Sequence, residues 1–432
     1  MALVLRLAQV LPLDRTEVYT KKGGDSWWYL ENGLALVRGQ DPAVLPSGPI
    51  YLLYAGYPQR IATPETAILL MRLLQVVMST LTCYFVYRLA WAISHDVRAG
   101  LIVAAVLAVS PAFIIETGQI LTETLFIFLL AGGLWLYVAT IERNPADKPL
   151  SPRLYGLVAL VAIIFGIATL TRAVLLAFPL GLLIHLLMVY GWRKGLQLGL
   201  TLVVVFAVTL SPWTIYNRVK WGQTVIAAQG FAAFLFLGAT DSGWQGPQQT
   251  DNTLQQQSGA PLSADPSVQQ QAYSSGATNA ILGDLGGWLK SRISQLSSAV
   301  LQPHGTVFYT GESLKDMTSR WLKTDHSLGG LLRLTQGDSF WPKLVLYLFH
   351  DIGMLAGIIG IWLSRRNWRL ALPLVGLIAY FLLAHFVLYV IPRYLFPLDM
   401  IWWVFGGIAF AALMQRFVWR RVQPSPLVEK VS

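Results

Sequence analysis

The stretch LYGLVALVAIIFGIATLTRAVLLAFPLGLLIHLLMVY, from Leu154 to Tyr190, contains Arg172 as its only Lys, Arg, Asp or Glu. It is long enough for two membrane crossings, because a helix needs about 20 apolar residues to span the roughly 30 Å hydrocarbon core. The arginine falls between the two halves, where a turn at the membrane surface is expected. The stretch therefore predicts a pair of transmembrane helices.

The composition of the whole chain supports this interpretation. Of 432 residues, 55% are hydrophobic and 12% are charged, against about 25% charged in ordinary soluble domains. A formal net charge of +10 could suggest nucleic acid, but the Lys and Arg residues lie in short loops between apolar runs and report topology instead. The single cysteine, Cys83, excludes a disulfide framework or a cysteine-based metal site within one chain.

Apolar runs of spanning length recur along the chain without the ten-residue alternation of a membrane barrel, which predicts helices. They begin near Thr66, Ala99, Ile120, Leu154, Ala173, Leu196, Leu344, Leu370 and Leu395. Residues 1–13, MALVLRLAQVLPL, offer about a dozen apolar residues, so we expect either part of a longer first span or an interfacial helix. The predicted fold class is an all-α polytopic membrane protein with about nine to ten transmembrane helices.

The basic residues predict the orientation, because short cytoplasmic loops carry an excess of Lys and Arg. One set of connections contains Arg98, Arg143, Lys148, Arg153, Arg193, Lys194, Arg365, Arg366, Arg369, Arg416, Arg420 and Arg421. The alternate connections contain few, chiefly Arg172 and Arg393. We therefore expect a multi-pass protein of the cytoplasmic (plasma) membrane with a cytoplasmic C-terminus, and with both long polar segments on the extracytoplasmic side.

This topology divides the chain into six regions. They are a short apolar segment (1–13), a first extracytoplasmic loop (14–65), a six-span core (66–215), a long extracytoplasmic loop (216–343), three further spans (344–418) and a cytoplasmic tail (419–432).

The long extracytoplasmic loop contains two patterns. Residues 248–276 are rich in Gln and Ser, which predicts a flexible loop. The following residues predict a surface helix with an apolar stripe on one face and Arg292 on another. The stripe consists of Ile281, Leu285, Trp288, Ile293, Leu296 and Val300.

Ionisable residues near or within spans are candidates for function because burying them in a membrane costs free energy. The predicted topology brings several to the outer ends of spans, namely Asp25, Glu116, Glu123, Arg72, Arg172, Arg218 and Arg393. Asp25 precedes a helical pattern that Gly39 closes, so it is either an N-cap or a site residue. Glu123 opens a span, where favouring the helix dipole is the alternative role.

The arginines have competing interpretations as well. Arg72 lies about two turns into its span, as a phosphate contact or as a buried partner of Glu116 or Glu123. Arg393 and Arg172 lie in outer turns, where they could grip a phosphate or anchor at the lipid headgroups.

Five stretches in order resemble the GT-C membrane glycosyltransferases, specifically the glycosyltransferase family 39-like branch of protein O-mannosyltransferases and aminoarabinose transferases. They are GDSWWYLENGLALVRG, RLLQVVMSTLTCYFVYRLA, SPAFIIETGQILTETLFIFL, SPWTIYNRVKWGQTVIAAQG and IPRYLFPLDM. The resemblance covers most of the chain. It implies a GT-C-like bundle whose extracytoplasmic loops carry interfacial helices.

The resemblance also implies roles for individual residues. The catalytic acids would be Asp25 and Glu123, and the donor phosphate would be bound by Arg72, Arg393 and Arg172. Substrate contacts would fall to Trp28, Tyr29, Tyr57, Glu116 and Tyr394, although aromatic residues are more often an interfacial belt. Ser26 follows Asp25 where the mannosyltransferase pattern has a second acid.

The implied reaction transfers a sugar from a polyprenyl-phosphate donor to a glycan, lipid or protein acceptor, with inversion, on the extracytoplasmic face. Asp25 would be the base, and the arginines would stabilise the departing phosphate. The expected partners are the donor, the acceptor and membrane lipid, with no nucleic acid. No particular cofactor is implied, and a divalent metal is left open.

Two other classes of function also fit many spans with scattered charges. A transporter or flippase of a lipid-linked or anionic solute predicts polar residues near the midplane of several spans. An oligosaccharide ligase or polymerase would use Arg and His in the long loop, such as His304.

Overall fold

The computed structural model describes residues 1–20, 24–40, 48–228, 230–240, 252–253, 266–337 and 339–422. Within these ranges the regular structure is helical, and no strand occurs. In chain order the helices are α1 Ala2–Val10, α2 Glu17–Thr20, α3 Asp25–Val37, α4 Pro49–Ile61, α5 Pro64–Ser94, α6 Val97–Val109, α7 Pro111–Ile115, α8 Glu123–Arg143, α9 Pro152–Thr171, α10 Phe178–Trp221, α11 Phe231–Thr240, α12 Pro266–Gly283, α13 Leu285–Leu301, α14 Leu314–Thr324, α15 Leu328–Leu334, α16 Phe340–Leu363, α17 Trp368–Val387, α18 Pro392–Leu395 and α19 Pro397–Val422. The all-α class is confirmed.

Six helical stretches are long and apolar enough to cross a membrane, or seven if the bent pair α6 and α7 is counted as one span. Two of the six, Ala173–Trp221 and Phe340–Val387, have 49 and 48 residues. At 1.5 Å per residue each would measure roughly 70 Å, more than twice the hydrocarbon thickness. The predicted number of nine to ten spans is not confirmed by this count, but both long stretches contain a break.

The break in α10 lies at Gly191, whose φ of 74° is non-helical. A Cβ added at Gly195 would lie 2.5 Å from the Leu186 carbonyl oxygen, and one at Gly199 would lie 2.6 Å from the Leu183 side chain. Residues equally distant from Gly191 are therefore neighbours, which means that the two halves of α10 run antiparallel. The break agrees with the predicted start of a separate apolar run near Leu196.

The other long stretch, Phe340–Val387, is divided by the 3-10 turn Ser364–Asn367, which joins α16 to α17. α16 packs against α19 through small residues, as membrane helices commonly do. A Cβ at Gly360 would lie 1.9 Å from the Phe405 carbonyl oxygen. This contact requires glycine and holds the C-terminal helices closely together.

The basic connections meet at one end of the bundle. Lys194 donates to the carbonyls of Ala146 and Lys148 at 2.8 Å each. Asn367 donates to the Ile93 carbonyl at 2.8 Å, and the ends of α5 and α8 are joined by His95 and Glu142, 3.9 Å apart. The structure thus groups these connections as the charge pattern predicts, whereas which end faces the cytoplasm stays a prediction.

At the other end, α3 packs on α4 through a pair of glycines. A Cβ at Gly33 would lie 2.5 Å from the Leu52 carbonyl oxygen, and one at Gly56 would lie 2.1 Å from the Gly33 carbonyl oxygen. Gly24 is the N-cap of α3 and Asp25 is its first helical residue. Asp25 is therefore not the N-cap, because Gly24 occupies that position and Asp25 lies in the first turn. As predicted, the helix closes at Gly39, which has a φ of 72°.

The long loop differs from its sequence prediction in two places. Residues 266–276, predicted as part of a flexible loop, belong to the helix α12, while 248–251 and 254–265 lie outside the described residues. Leu285 and Ile293 of the predicted stripe are 53% and 59% exposed, as is expected of an apolar face that lies on a membrane. The predicted polar residue Arg292 of α13, by contrast, is fully buried. The reason is that backbone carbonyls, which a sequence pattern does not display, surround the guanidinium.

Candidate active site

Arg393 joins two acids from distant parts of the chain. The residue lies in the short helix α18, after the span α17 has ended. Its Nη1 donates to Asp25 Oδ2 at 2.5 Å, and its Nε donates to Glu123 Oε1 at 2.6 Å. Asp25 begins α3 and Glu123 begins α8. Three of the predicted site residues therefore meet at one end of the bundle.

Arg172 completes this cluster from the end of α9. Its Nη1 donates to Glu123 Oε1 at 2.9 Å, and its guanidinium carbon lies 5.6 Å from the ring centres of Phe126 and Tyr394. A Cβ at Gly48 would lie 1.7 Å from the Leu170 carbonyl oxygen. The start of α4 therefore sits directly on the end of α9, and this contact brings α3 and α4 beside Arg172.

The two acids of the cluster have different environments. The Glu123 side chain is 0% exposed and is bound by both guanidiniums. The Asp25 side chain is 57% exposed and is bound by Arg393. Two carboxylates face two guanidiniums, so the cluster is balanced in charge. Burial disfavours the charge on Arg393, but the carboxylates of Glu123 and Asp25 outweigh it and raise the pKa of this guanidinium above its usual value.

The predicted aromatic contacts are only partly assembled. Tyr29 makes edge contacts with Trp28 and Tyr51, at centroid distances of 5.4 and 4.8 Å. Burial raises the pKa of Tyr394 to about 12, so this phenol keeps its proton at neutral pH and remains a hydrogen-bond donor. Tyr57 is 54% exposed and makes no ring contact within the described residues. Tyr394 thus borders the cluster through Arg172, whereas Trp28 and Tyr51 pack on Tyr29.

Tyr51 was not singled out by sequence reasoning, because a tyrosine in an apolar helix reads as core. It is 0% exposed, and its hydroxyl has no hydrogen-bond partner among the described residues. A buried hydroxyl without a partner costs free energy and is rare in proteins. Tyr51 is therefore a further polar group available beside Tyr29.

Arg72 has other partners than predicted. Its Nε donates to the Gly118 carbonyl at 3.0 Å, and its Nη1 donates to the carbonyls of Asp14 and Leu13 at 2.9 and 3.4 Å. It is 5% exposed. The structure therefore pairs it with backbone groups rather than with Glu116 or Glu123, and its predicted phosphate contact stays a prediction.

Glu116 forms a second buried pair that sequence reasoning missed. Its Oε2 lies 2.8 Å from His304 Nε2, and both side chains are almost fully buried. The other oxygen, Oε1, has no partner among the described residues and borders a cavity lined by Ser79, Thr82, Thr124 and Phe396. The available signal was the rule that a buried acid needs a partner, but 188 residues separate the two.

No three His, Cys, Asp or Glu side chains come together as a metal site in the part of the chain that the structure describes. The acids of the main cluster are engaged by arginine. A bound cation there would need Asp25 and Glu123 to exchange these partners for metal ligation. The divalent metal that the sequence left open therefore stays untested.

The family model of dolichyl-phosphate-mannose-protein mannosyltransferases matches residues 54–225. No curated protein sequence matches the chain. Among solved structures, the apo oligosaccharyltransferase of Archaeoglobus fulgidus is similar, with 16% identity, a TM-score of 0.55, and coverage of 97% of this chain and 50% of that one.

The oligosaccharyltransferase AglB of the same organism, in complex with an inhibitory peptide and a dolichol-phosphate, gives a TM-score of 0.54 at 16% identity and the same coverage. ArnT of Cupriavidus metallidurans, bound to undecaprenyl phosphate, has 15% identity and a TM-score of 0.41, covering 98% of this chain and 80% of that one. The chain spans about half the length of the oligosaccharyltransferase. Its fold is similar to that of the oligosaccharyltransferase, and residues 54–225 match the family model of dolichyl-phosphate-mannose-protein mannosyltransferases.

Proposed function

We propose that the protein transfers a sugar from a polyprenyl-phosphate donor to a hydroxyl acceptor, with inversion, on the extracytoplasmic face of the membrane. The observation that carries this proposal is that Arg393 binds Asp25 and Glu123 at one end of the bundle. A base and a cationic phosphate contact are the two groups that such a transfer needs, and they lie side by side here.

The chemistry needs few protein groups. The acceptor oxygen forms a bond to the anomeric carbon while the bond from that carbon to the phosphate oxygen breaks. The phosphate departs as a stable anion, so a general acid is not required as it is in glycoside hydrolysis. The proton of the acceptor hydroxyl goes to a carboxylate, and the charge that develops on the phosphate is stabilised by arginine.

Asp25 suits the role of base better than Glu123. It is half exposed and so can be reached by an acceptor, whereas Glu123 is fully buried. Its bond to Arg393 ends on Oδ2, which leaves Oδ1 available to accept a proton. Glu123, held by Arg172 and Arg393, fixes the two guanidiniums in place.

Arg393 and Arg172 suit the role of phosphate contacts. A guanidinium binds phosphate with paired, charge-assisted hydrogen bonds. The donor phosphate would take over the Nη1 of Arg393 from Asp25, because the Asp25 carboxylate can turn towards water or an acceptor. Donor binding would then release the base at the moment when it is needed.

The donor class is supported by the comparisons. The matched family is described by dolichyl-phosphate-mannose as its donor, and the similar AglB structure contains a dolichol-phosphate. The common element is a long-chain isoprenoid phosphate. The acceptor stays a glycan, lipid or protein, and the extracytoplasmic side rests on the predicted excess of Lys and Arg at the opposite end.

No specific observation on the described residues favours the alternative classes of function. His304, which an oligosaccharide ligase or polymerase would use, is buried against Glu116 and against Phe396, with ring centroids 4.5 Å apart. A transporter or flippase would be indicated by helices broken near the midplane around polar groups. In the described residues, the carboxylate cluster lies at helix ends instead.

The test offers the purified protein a panel of polyprenyl-phosphate sugars and measures sugar transfer or slow donor hydrolysis. Asp25→Asn should lower turnover by about 10²- to 10⁴-fold, the usual contribution of a general base. Glu31→Gln, which changes an exposed acid on the same helix, is the matched control and should keep full turnover. Equal turnover of wild type and Asp25→Asn would rule out Asp25 as the base.

A further inference from the structure

The loop that carries Arg393 begins where the span α17 ends. The last carbonyls of any helix lack partners within the helix, and a membrane protein must satisfy them from elsewhere. The chain then runs in irregular form from Leu388 to Ile391 before Arg393 is reached. The position of Arg393 therefore depends on whatever fixes the end of α17.

Arg292 of α13 supplies these partners. Its Nη2 donates to the carbonyls of His385 and Leu388 at 2.9 and 2.6 Å, and its Nε donates to the Phe386 carbonyl at 2.8 Å. Its Nη1 lies 3.5 Å from the Gly238 carbonyl of α11. One fully buried guanidinium thus joins α13 and α11 to the start of the Arg393 loop.

The long loop also holds the other side of Arg393. The ring of His304, just after α13, lies against the ring of Phe396 at a centroid distance of 4.5 Å. His350 bridges the Val300 carbonyl of α13 and the Asp399 carboxylate, at 2.7 and 3.0 Å. The segment 385–399 is therefore held from α13 and its following turn both before and after Arg393.

We propose that Arg292 is a positioning residue for the candidate active site, which holds the loop 388–393 so that Arg393 reaches Glu123 and Asp25. The proposal rests on the proposed role of Arg393 as a phosphate contact. It makes the helix α13 a part of the donor site, although α13 itself does not touch the acids. A change in the position of α13 would be transmitted to the residues before Arg393 through this guanidinium.

The Arg292→Lys variant separates positioning from charge. A lysine keeps the positive charge but is a single point charge that cannot bind several carbonyls in a planar fork. Arg6→Lys is the matched control, because Arg6 is also fully buried and donates to the Leu107 and Ala108 carbonyls at 3.0 and 3.1 Å. Those carbonyls lie at the end of α6 rather than at the end of α17.

A spin label placed at Ile391, two residues before Arg393, reports the loop directly. The chain has one cysteine, Cys83, so Cys83→Ala and Ile391→Cys give a single labelling site. We expect an immobilised spectrum with Arg292, a clearly more mobile one with Arg292→Lys, and no change with Arg6→Lys. An immobilised label in the Arg292→Lys protein would overturn the proposal whatever the protein binds.

Binding gives the second readout, with undecaprenyl phosphate as the probe and undecaprenol and inorganic phosphate as comparison arms. Arg393→Gln should weaken binding of undecaprenyl phosphate about 10- to 100-fold, and Arg292→Lys about 3- to 10-fold. If Arg292 acts through Arg393, the double variant should bind no more weakly than Arg393→Gln alone. Fully additive losses would show that Arg292 acts elsewhere and would overturn the proposal.

Different results would contradict the phosphate role of Arg393 and the positioning role of Arg292. Unchanged binding in Arg393→Gln would remove the phosphate role in the proposed function, and the label spectrum would still decide whether Arg292 fixes the loop. Weaker binding in Arg393→Gln together with unchanged binding in Arg292→Lys would leave the function intact and overturn the positioning role. Binding of inorganic phosphate as tight as that of the lipid would show that the headgroup alone is recognised.

Discussion

Two groups of arginines differ in what they bind. Arg172 and Arg393 end on the carboxylates of Glu123 and Asp25, at one end of the bundle. Arg6 and Arg72, on the side where α1 meets α5, donate to backbone carbonyls at the ends of other segments. The same residue type in the same membrane protein therefore serves two purposes, and the partner atom distinguishes them.

The difference lies in how easily the partner can be exchanged. A buried carbonyl that loses its donor is left without a hydrogen bond, since no water replaces the donor within the bundle. Asp25 is half exposed, so water or an acceptor can take the place of Arg393. An arginine bound to a partly exposed carboxylate can consequently change partners during a reaction, whereas an arginine bound to backbone carbonyls stabilises the fold.

Glu123→Gln should have the largest effect on stability. Glu123 is fully buried between two guanidiniums, and removing one partner of a buried ion pair costs about 3–5 kcal/mol. We expect a loss of this size in the free energy of unfolding, measured by denaturant titration in detergent. A loss below about 1 kcal/mol, the range for surface pairs, would mean that Glu123 is as replaceable as Asp25.

Arg72→Gln tests the carbonyl group of arginines. The buried Gly118 carbonyl left without its donor costs about 1–3 kcal/mol, and the Leu13 and Asp14 carbonyls are partly buried and add less. We therefore expect a loss of about 2–3 kcal/mol in unfolding free energy. Binding of undecaprenyl phosphate by the folded protein should stay as in wild type. Weaker lipid-phosphate binding with unchanged stability would assign Arg72 to the phosphate, as the family resemblance implies.

Arg172→Gln should produce the reverse pattern. The variant removes one guanidinium from the proposed phosphate site, and we expect undecaprenyl phosphate to bind about tenfold more weakly, or about 1.4 kcal/mol. The loss of unfolding free energy should be smaller than for Arg72→Gln, because Glu123 keeps its bonds to Arg393. Isothermal titration and denaturant titration on the same preparation measure both, and equal losses in the two variants would remove the distinction.

Asp25→Asn should have the smallest effect on stability. Its pair with Arg393 is partly exposed, and such pairs contribute about 0–1 kcal/mol. Binding of undecaprenyl phosphate should be unchanged or stronger, because a competing carboxylate no longer occupies Arg393. Weaker binding in Asp25→Asn would contradict the exchange of partners at Arg393.

Sequence reasoning located the candidate site because charge is rare in spans. The cost of burying ions singled out Asp25, Glu123, Arg172 and Arg393, and the pattern of Lys and Arg placed them at one end. The same rule could not separate Arg72 from Arg393. Their difference depends on whether a carbonyl or a carboxylate lies nearby, and a carbonyl is present at every residue and leaves no trace in the sequence.

The long loop was harder to predict for a related reason. Gln and Ser in residues 266–276 indicate a flexible segment by composition, but this segment is helical because α12 packs against α11 through Tyr273 and Phe236, at a centroid distance of 5.5 Å. The apolar stripe of α13 predicted a helix on the membrane surface, but the pattern gave no sign that Arg292 on another face is buried. The pair of Glu116 and His304 depends on a contact across most of the chain.

The glycines that join α3 to α4 have a consequence for the proposed base. Since a methyl group at Gly33 would meet the Leu52 carbonyl oxygen at 2.5 Å, an alanine there would act as a wedge and tilt the helix that begins at Asp25. A displacement of about 1 Å in a reacting group can cost about 10²-fold in rate. One added carbon atom, roughly two helical turns from Asp25, would then lower the proposed activity without removing a single functional group.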